Sequence, residues 1–411
     1  MTTRAGVVSL IAVCLVVSAS ESHTAPSLNG VRLAPGDTAA SVRWKLIALE
    51  QARRATVRAL RSAAGGDSAQ LKALTGQVTG STARLPAIVN VAMAHAADSA
   101  QGDAARPSTR TAVAAAAAAV ITHFLAGAAS ELTGAVEQDV SAEKRAGVPA
   151  ARINAGLRLG RAVGERTLNW AKGDGSEAPE WNGTIPTGAG MWWSRPGARP
   201  GLIDRLHYRL WVLRTADQFR PKPPPAFGSP EFDAALGEVR RVARDRTATE
   251  TRIAQRWGLR GAVELWEEIA SDVLTRHRVD DPRAAHVLAL LTAVAADAGV
   301  ACTDAKYHYW LLRPTQADST ITLADSLVLP NFPAYPSGHA CLSGGIAEVI
   351  GHFVPEERSE MRRLAEEAAM SRLYAGVHYR FDNDVGLELG RHVARYALAE
   401  DSAGRLVRRW R

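Results

Sequence analysis

Apolar residues recur along this chain at intervals of three and four, and strand-like alternation is rare. Val42, Leu46, Leu49 and Ala52 mark one face of a helix over 38–64, with Arg and Lys between them. Helical runs are expected over 84–99, over the Ala-rich stretch 108–139, and over 141–172, punctuated by Pro149. Further helices are predicted at 229–245, 259–278 and 281–312, then at 338–353, 356–375 and 381–400. No repeat of solenoid period is present. The pattern predicts an all-α fold of antiparallel helical bundles.

Two stretches interrupt it. Residues 173–202 are rich in Gly, Pro and Trp, as in Gly188-Ala189-Gly190-Met191-Trp192-Trp193. Tryptophans bury large surfaces, so an ordered loop is expected there. Residues 216–229 carry Pro221 and Pro223-Pro224-Pro225, whose stiffness suits a wall or rim. At the start, Arg4 precedes an apolar run from Ala5 to Val17 and then Ser18-Ala19-Ser20, the pattern of an export signal. The organisation expected is an export signal over 1–20, an N-terminal helical region over 21–215, and a C-terminal helical region over 216–411 carrying the chemistry. The two helical regions are expected to form one compact unit.

The 411 residues suffice for one large core or two domains. The formal net charge is +7, spread along the chain without a dense basic block or aromatic–basic interleaving. That argues against nucleic acid as a partner and is compatible with drawing in small anions. No later segment reads as an uninterrupted apolar span, so an exported protein, periplasmic or secreted and without stable membrane insertion, is expected. Oligomeric state is not readable. Without the signal, Cys302 and Cys341 are left; both a disulfide and two small buried residues fit.

Three fragments of the C-terminal third carry candidate chemistry. Lys306 and Arg313 are seven residues apart on a predicted helix, which puts them on nearly one face, about 10 Å apart along the axis. Pro314 is expected to end that helix. Pro336-Ser337-Gly338-His339 precedes an apolar helix. Gly338 lets amides approach an oxyanion, Ser337 can cap the helix start, and the helix adds its positive end. Ser371-Arg372 is followed by Gly376, His378 and Asp382. A carboxylate four residues after His378 can accept its Nδ1–H and leave Nε2 free to act as nucleophile or ligand.

Taken in this order, the fragments resemble the signature of the vanadium-dependent haloperoxidase and type 2 phosphatidic acid phosphatase superfamily: Lys-x6-Arg-Pro, Pro-Ser-Gly-His, and Ser-Arg-x5-His-x3-Asp. Every signature position is filled. The resemblance covers roughly residues 300–395 and implies two four-helix bundles around one oxyanion site. It implies that Lys306, Arg313, Ser337, Gly338, Arg372 and His378 hold the oxyanion.

The superfamily has two chemistries. In the haloperoxidase branch the cofactor is vanadate, with His378 as the metal ligand, oriented by Asp382. His339 is the acid–base, Lys306 polarises the peroxide, and the small-molecule partners are hydrogen peroxide, halide and an organic acceptor. In the phosphatase branch there is no cofactor: His378 attacks phosphorus and His339 protonates the leaving group. Asn331-Phe332-Pro333-Ala334-Tyr335 and the run from Val377 to Asp382 look like the haloperoxidase branch, which makes Phe332 the halide-pocket aromatic. The expected function is therefore a vanadium-dependent haloperoxidase. A soluble acid phosphatase and a non-catalytic oxyanion-binding protein are the alternatives.

Overall fold

The structure is a computed structural model, in which residues 27–28, 31–32, 34, 36, 38–64, 84–178, 181–404 and 406 are described. The segment read as an export signal lies outside the described residues. Within them the fold is all-α, apart from a two-residue antiparallel ladder of β1 (Ser27–Leu28) on β2 (Val31–Arg32). The first helices are α1 (Ala40–Ala64), α2 (Arg84–Gly102), α3 (Thr109–Phe124), α4 (Ala129–Arg145) and α5 (Ala150–Ala171). Then come α6 (Pro230–Asp245), α7 (Ala248–Arg260), α8 (Ala262–Arg276) and α9 (Asp281–Tyr309). The last are α10 (Pro314–Ala317), α11 (Gly338–Phe353), α12 (Arg358–Tyr374) and α13 (Arg380–Ser402).

The helix expected over 108–139 is two helices. Leu125 leaves helical geometry, and a 3-10 turn over Ala126–Ala128 separates α3 from α4. Alanine's high propensity on both sides hides this break in the sequence. The pattern also missed α7, which has few apolar positions. Its start is nonetheless written in the chain: the Thr247 hydroxyl accepts from the Glu250 amide at 3.2 Å, and the Glu250 carboxylate accepts from the Thr247 amide at 2.7 Å. That is a capping box.

The chain divides into two compact units. One takes the described residues within 1–78, 92–167 and 274–285; the other takes those within 79–91, 168–273 and 286–411. The boundary expected after residue 215 thus falls inside the second unit. In the first unit α3 packs on α1 and α4. Arg43 and Trp44 of α1 both donate to the Asp139 carboxylate of α4, each at 2.7 Å, within a fully buried cluster. Removing one partner of such a pair would strand a buried charge at a cost of about 3–5 kcal/mol.

The second unit holds the predicted chemistry. Leu288, Leu290, Leu291 and Val294 of α9 are fully buried, each contributing about 1.5–3 kcal/mol over exposure. α9 is long and apolar enough to cross a membrane, but 89% of its most apolar window is buried within the fold. α11 packs against α12 and, at very close range, α13. A Cβ on Gly390 would stand 2.0 Å from the Cys341 carbonyl oxygen, and one on Gly344 2.3 Å from that of Leu387. Only glycine lets the two backbones meet this way. The crossing fixes the Pro-Ser-Gly-His turn against the start of α13, and the Ser337 amide donates to the Asp382 carbonyl at 2.9 Å.

Candidate active site

α9 ends at Tyr309, before Arg313 is reached. Trp310 adopts a left-handed φ of 51° and turns the chain out of the helix. The Trp/Gly loop clamps this turn. The Trp192 amide donates to the Trp310 carbonyl at 2.7 Å, and the Leu312 amide to the Gly190 carbonyl at 3.0 Å. Arg313 is therefore not two helical turns along from Lys306, as its spacing predicted. It caps α10, where Pro314 opens a helical turn instead of closing one. The proline-rich segment is the expected wall. Arg220 grips Asp304 of α9 at 2.7 and 2.9 Å. The Tyr309 and Tyr335 hydroxyls donate to the carbonyls of Pro221 and Lys222, at 2.5 and 2.6 Å.

Arg313 is fully buried and faces the third fragment. Its Nε donates to the Phe332 carbonyl at 2.9 Å and its Nη1 to the Val377 carbonyl at 2.8 Å. Nη1 also lies 2.9 Å from His378 Nε2, while His378 Nδ1 is 2.8 Å from Asp382 Oδ2. A guanidinium only donates, so Nε2 carries the lone pair and Nδ1 the proton. His378 is not on the helix face it was expected to share with Asp382. It stands just before α13, and Asp382 Oδ2 reaches back to it and to the Tyr379 amide at 3.1 Å. Gly376 makes the preceding turn with φ 76°, and a Cβ there would lie 2.9 Å from the Thr322 carbonyl oxygen.

Among the described residues, Arg313 Nη2 and Ser337 Oγ are buried donors without a partner, as are the Tyr379 hydroxyl and Asn383 Nδ2 nearby. Ser337 occupies the N-cap of α11 but makes no side-chain capping bond, contrary to expectation, so its hydroxyl is unspent. A Cβ built on Gly338 would meet no protein atom within 4 Å, so the space before the first amides of α11 is open. Unspent donors beside a helix start, facing open space, fit a tetrahedral oxyanion.

Lys306 has a different immediate task from the one predicted. Its ammonium donates to the carbonyls of Pro333, Ala334 and Pro336 at 2.9, 2.7 and 2.5 Å. All three protons are engaged, so it shapes the turn before Ser337 and acts on the site through its charge. Phe332 covers both cations, its ring centre 5.3 Å from Lys306 Nζ and 4.9 Å from Arg313 Cζ.

α7, missed by the sequence pattern, supplies two carbonyls. Ala254 accepts from Arg372 Nη2, and Trp257 pairs with His339 Nε2, both at 3.0 Å. A carbonyl only accepts, so His339 carries its proton on Nε2 and its lone pair on Nδ1. Trp257 is itself pinned by its indole N–H to Glu367 of α12 at 3.0 Å.

Burial dominates the electrostatics. It lowers Lys306 to about 8, Arg313 to about 10 and, with Arg313 adding to it, Arg372 to about 9. It pushes Asp382 up to about 7. Burial, and then the Arg372 charge, takes His339 down to about 3. His378 falls well below its usual range for the same first reason, with Arg313 next. Both imidazoles are thus neutral. Three buried cations face one buried carboxylate, a surplus that a dianionic oxyanion would match. Cys302 and Cys341 are free buried thiols, not a disulfide. Burial opposes ionisation of Cys302, but the bond with Cys341 and the nearby Lys306 bring it to about 7.

Residues 286–400 match the PAP2 superfamily. The chain carries a PAP2 superfamily domain. Within it, 92 residues are 34% identical to a non-specific acid phosphatase of Salmonella typhi, covering 22% of this chain and 37% of that protein. The corresponding protein of Salmonella typhimurium is 33% identical over 92 residues, with the same coverage. The chain thus matches little more than a third of the length of these curated relatives. Solved structures match more widely. The first bacterial vanadium-dependent iodoperoxidase aligns with a TM-score of 0.65 and 22% identity, covering 77% of this chain and 90% of that one. The apo form of a bacterial vanadium-dependent chloroperoxidase aligns at 0.62 and 13%, covering 80% and 94%. At these identities the likeness is one of fold, and it extends well outside the PAP2 domain.

Proposed function

We propose that this protein is a vanadium-dependent haloperoxidase, oxidising halide with hydrogen peroxide to hypohalous acid. The observation that carries the reading is enclosure of the cradle: His378, Arg313 and Ser337 are at most 3% exposed, and Phe332 covers the cations. Peroxide and halide are small enough for such a site, and hypohalous acid can leave it to meet an organic acceptor outside. A phosphomonoester would have to bring its leaving group in. The fold similarity to an iodoperoxidase and a chloroperoxidase over most of the chain supports the same reading.

In this reading Arg313 Nη2, Ser337 Oγ and the first amides of α11 would hold the vanadate, Arg372 and Lys306 would balance its charge, and His378 Nε2 would be the metal ligand. Vanadate, when bound, supplies the Lewis acid that activates peroxide toward halide. Asp382 holds the Nδ1 proton of His378, which keeps Nε2 aimed at the cradle. The Nε2 lone pair that would hold the metal is the one that now accepts from Arg313 Nη1 at 2.9 Å. His339 takes a proton on Nδ1 and returns it, while Trp257 keeps its other nitrogen protonated.

The acid phosphatase matches favour a second reading, in which His378 Nε2 attacks phosphorus. The experiment that separates the two is a bromination assay with and without vanadate, set beside hydrolysis of p-nitrophenyl phosphate.

A further inference from the structure

Among its described residues, the second unit contains another cation without a counter-charge. Arg205 lies in a 3-10 turn over Ile203–His207, and its Nη1 lies 3.6 Å from where a Cβ on Gly299 of α9 would stand. Gly299 is seven residues, or about two helical turns, before Lys306. Arg205 helps line a cavity of about 30 Å³ together with Tyr208, Trp170 and Trp211. The two indoles pack with centroids 4.3 Å apart and their planes tilted by 33°.

The other charges lining this cavity are already engaged. Arg84 is paired with Asp174 at 2.6 Å. Arg209 donates to the carbonyls of Trp170 and Gly173, at 3.0 and 3.1 Å, with its guanidinium over the Trp170 ring at 4.9 Å. Asp297 accepts the backbone N–H groups of Trp211, Val212 and Leu213 at 2.7–2.8 Å. Neither Arg205 nor the Tyr208 hydroxyl has a side-chain hydrogen bond or ion pair among the described residues. The electrostatic neighbours of Arg205 are Tyr208 and Cys302, and burial disfavours its charge.

We infer that this cavity is a second anion site, taking one small monovalent anion of halide size among Arg205, Tyr208, Trp170 and Trp211. Size and charge select the class. A water needs about 10–15 Å³ of such space, so 30 Å³ admits a single halide and at most one water. A tetrahedral oxyanion or an organic acceptor would not fit. One unpaired guanidinium calls for one negative charge. The inference stands whichever reaction the cradle supports, because it concerns binding alone.

The test uses bromide and chloride on the full chain. Crystals of the wild-type protein soaked in bromide should show an anomalous peak in the cavity, within hydrogen-bond reach of Arg205. In solution, saturable broadening of the chloride-35 resonance should survive Lys306→Met and weaken at least tenfold in Arg205→Gln. Bromide found elsewhere in wild-type crystals but absent from this cavity would overturn the proposal, even if Arg205→Gln failed to fold. So would broadening unchanged in Arg205→Gln, or a peak seen only at crystal concentration with no saturable broadening at millimolar chloride.

Discussion

Arg313 Nη1 stands 2.9 Å from His378 Nε2, a cation donating to the imidazole nitrogen proposed to bind the metal. Burial, and then this cation, keeps the ring neutral, and the contact reserves the Nε2 lone pair. Asp382, 2.8 Å from Nδ1, fixes the other end of the ring. The site is thus organised around a proton that His378 keeps on one side and is denied on the other.

Asp382→Asn should weaken vanadate binding by about 10–100-fold, the usual cost of losing the partner of a metal-ligating histidine. A titration followed by vanadium-51 NMR reads this directly. Unchanged affinity would remove Asp382 from its role.

His339→Ala should lower turnover by about 10²–10⁴-fold, the contribution of a positioned acid–base group. Oxyanion affinity should hold, because His339 is neutral in the free protein and adds no charge to the cradle. A variant that no longer binds phosphate or vanadate would contradict the assignment.

Lys306 gives a pH dependence. Its folded-state value is lowered to about 8 by burial, against about 10.4 in an unfolded chain. Below pH 8 the folded protein bears the full cost of a buried ammonium, which a bound oxyanion offsets. Above it the proton leaves, and affinity for phosphate should fall by about tenfold per pH unit, the slope of one linked proton. Calorimetry from pH 6 to 10 should show a steeper loss of affinity around pH 8 in the wild type than in Lys306→Met, where Asp382, at about 7, and Arg372, at about 9, still titrate. An equally steep loss around pH 8 in that variant would assign it to another group.

Arg372 is buried and, among the described residues, has no carboxylate partner; it donates to the Ala254 carbonyl and the Ser371 hydroxyl. Replacing such a charge by a similar-sized apolar residue often gains about 1–4 kcal/mol. Arg372→Met should therefore melt a few degrees higher in buffer free of oxyanions, and lose the stabilisation that phosphate gives the wild type. Lower stability under both conditions would show that the charge is satisfied within the fold.

Much of the site was legible because its signature residues sit at fixed intervals, and distant stretches must converge for such spacing to mean anything. Their local settings were less legible. Spacing alone placed Arg313 on the helix of Lys306 and His378 on that of Asp382, whereas Trp310 breaks the first and Tyr379 caps the second. Both errors come from extending helical geometry through a turn whose φ angles the residue types do not dictate. The tasks of Lys306 and Ser337 depend on which carbonyls and amides lie nearby, and that is tertiary information. α7 escaped because its apolar face is short, although Thr247 and Glu250 signalled its start. With it went Trp257 and Ala254, which act through backbone carbonyls and leave no side-chain signature.

The central claim is tested most directly by bromination of a phenol dye with hydrogen peroxide and bromide, with and without added vanadate. The account predicts bromination that needs vanadate and is lost in His378→Ala. Hydrolysis of p-nitrophenyl phosphate inhibited by vanadate, with no bromination under any condition, would contradict it.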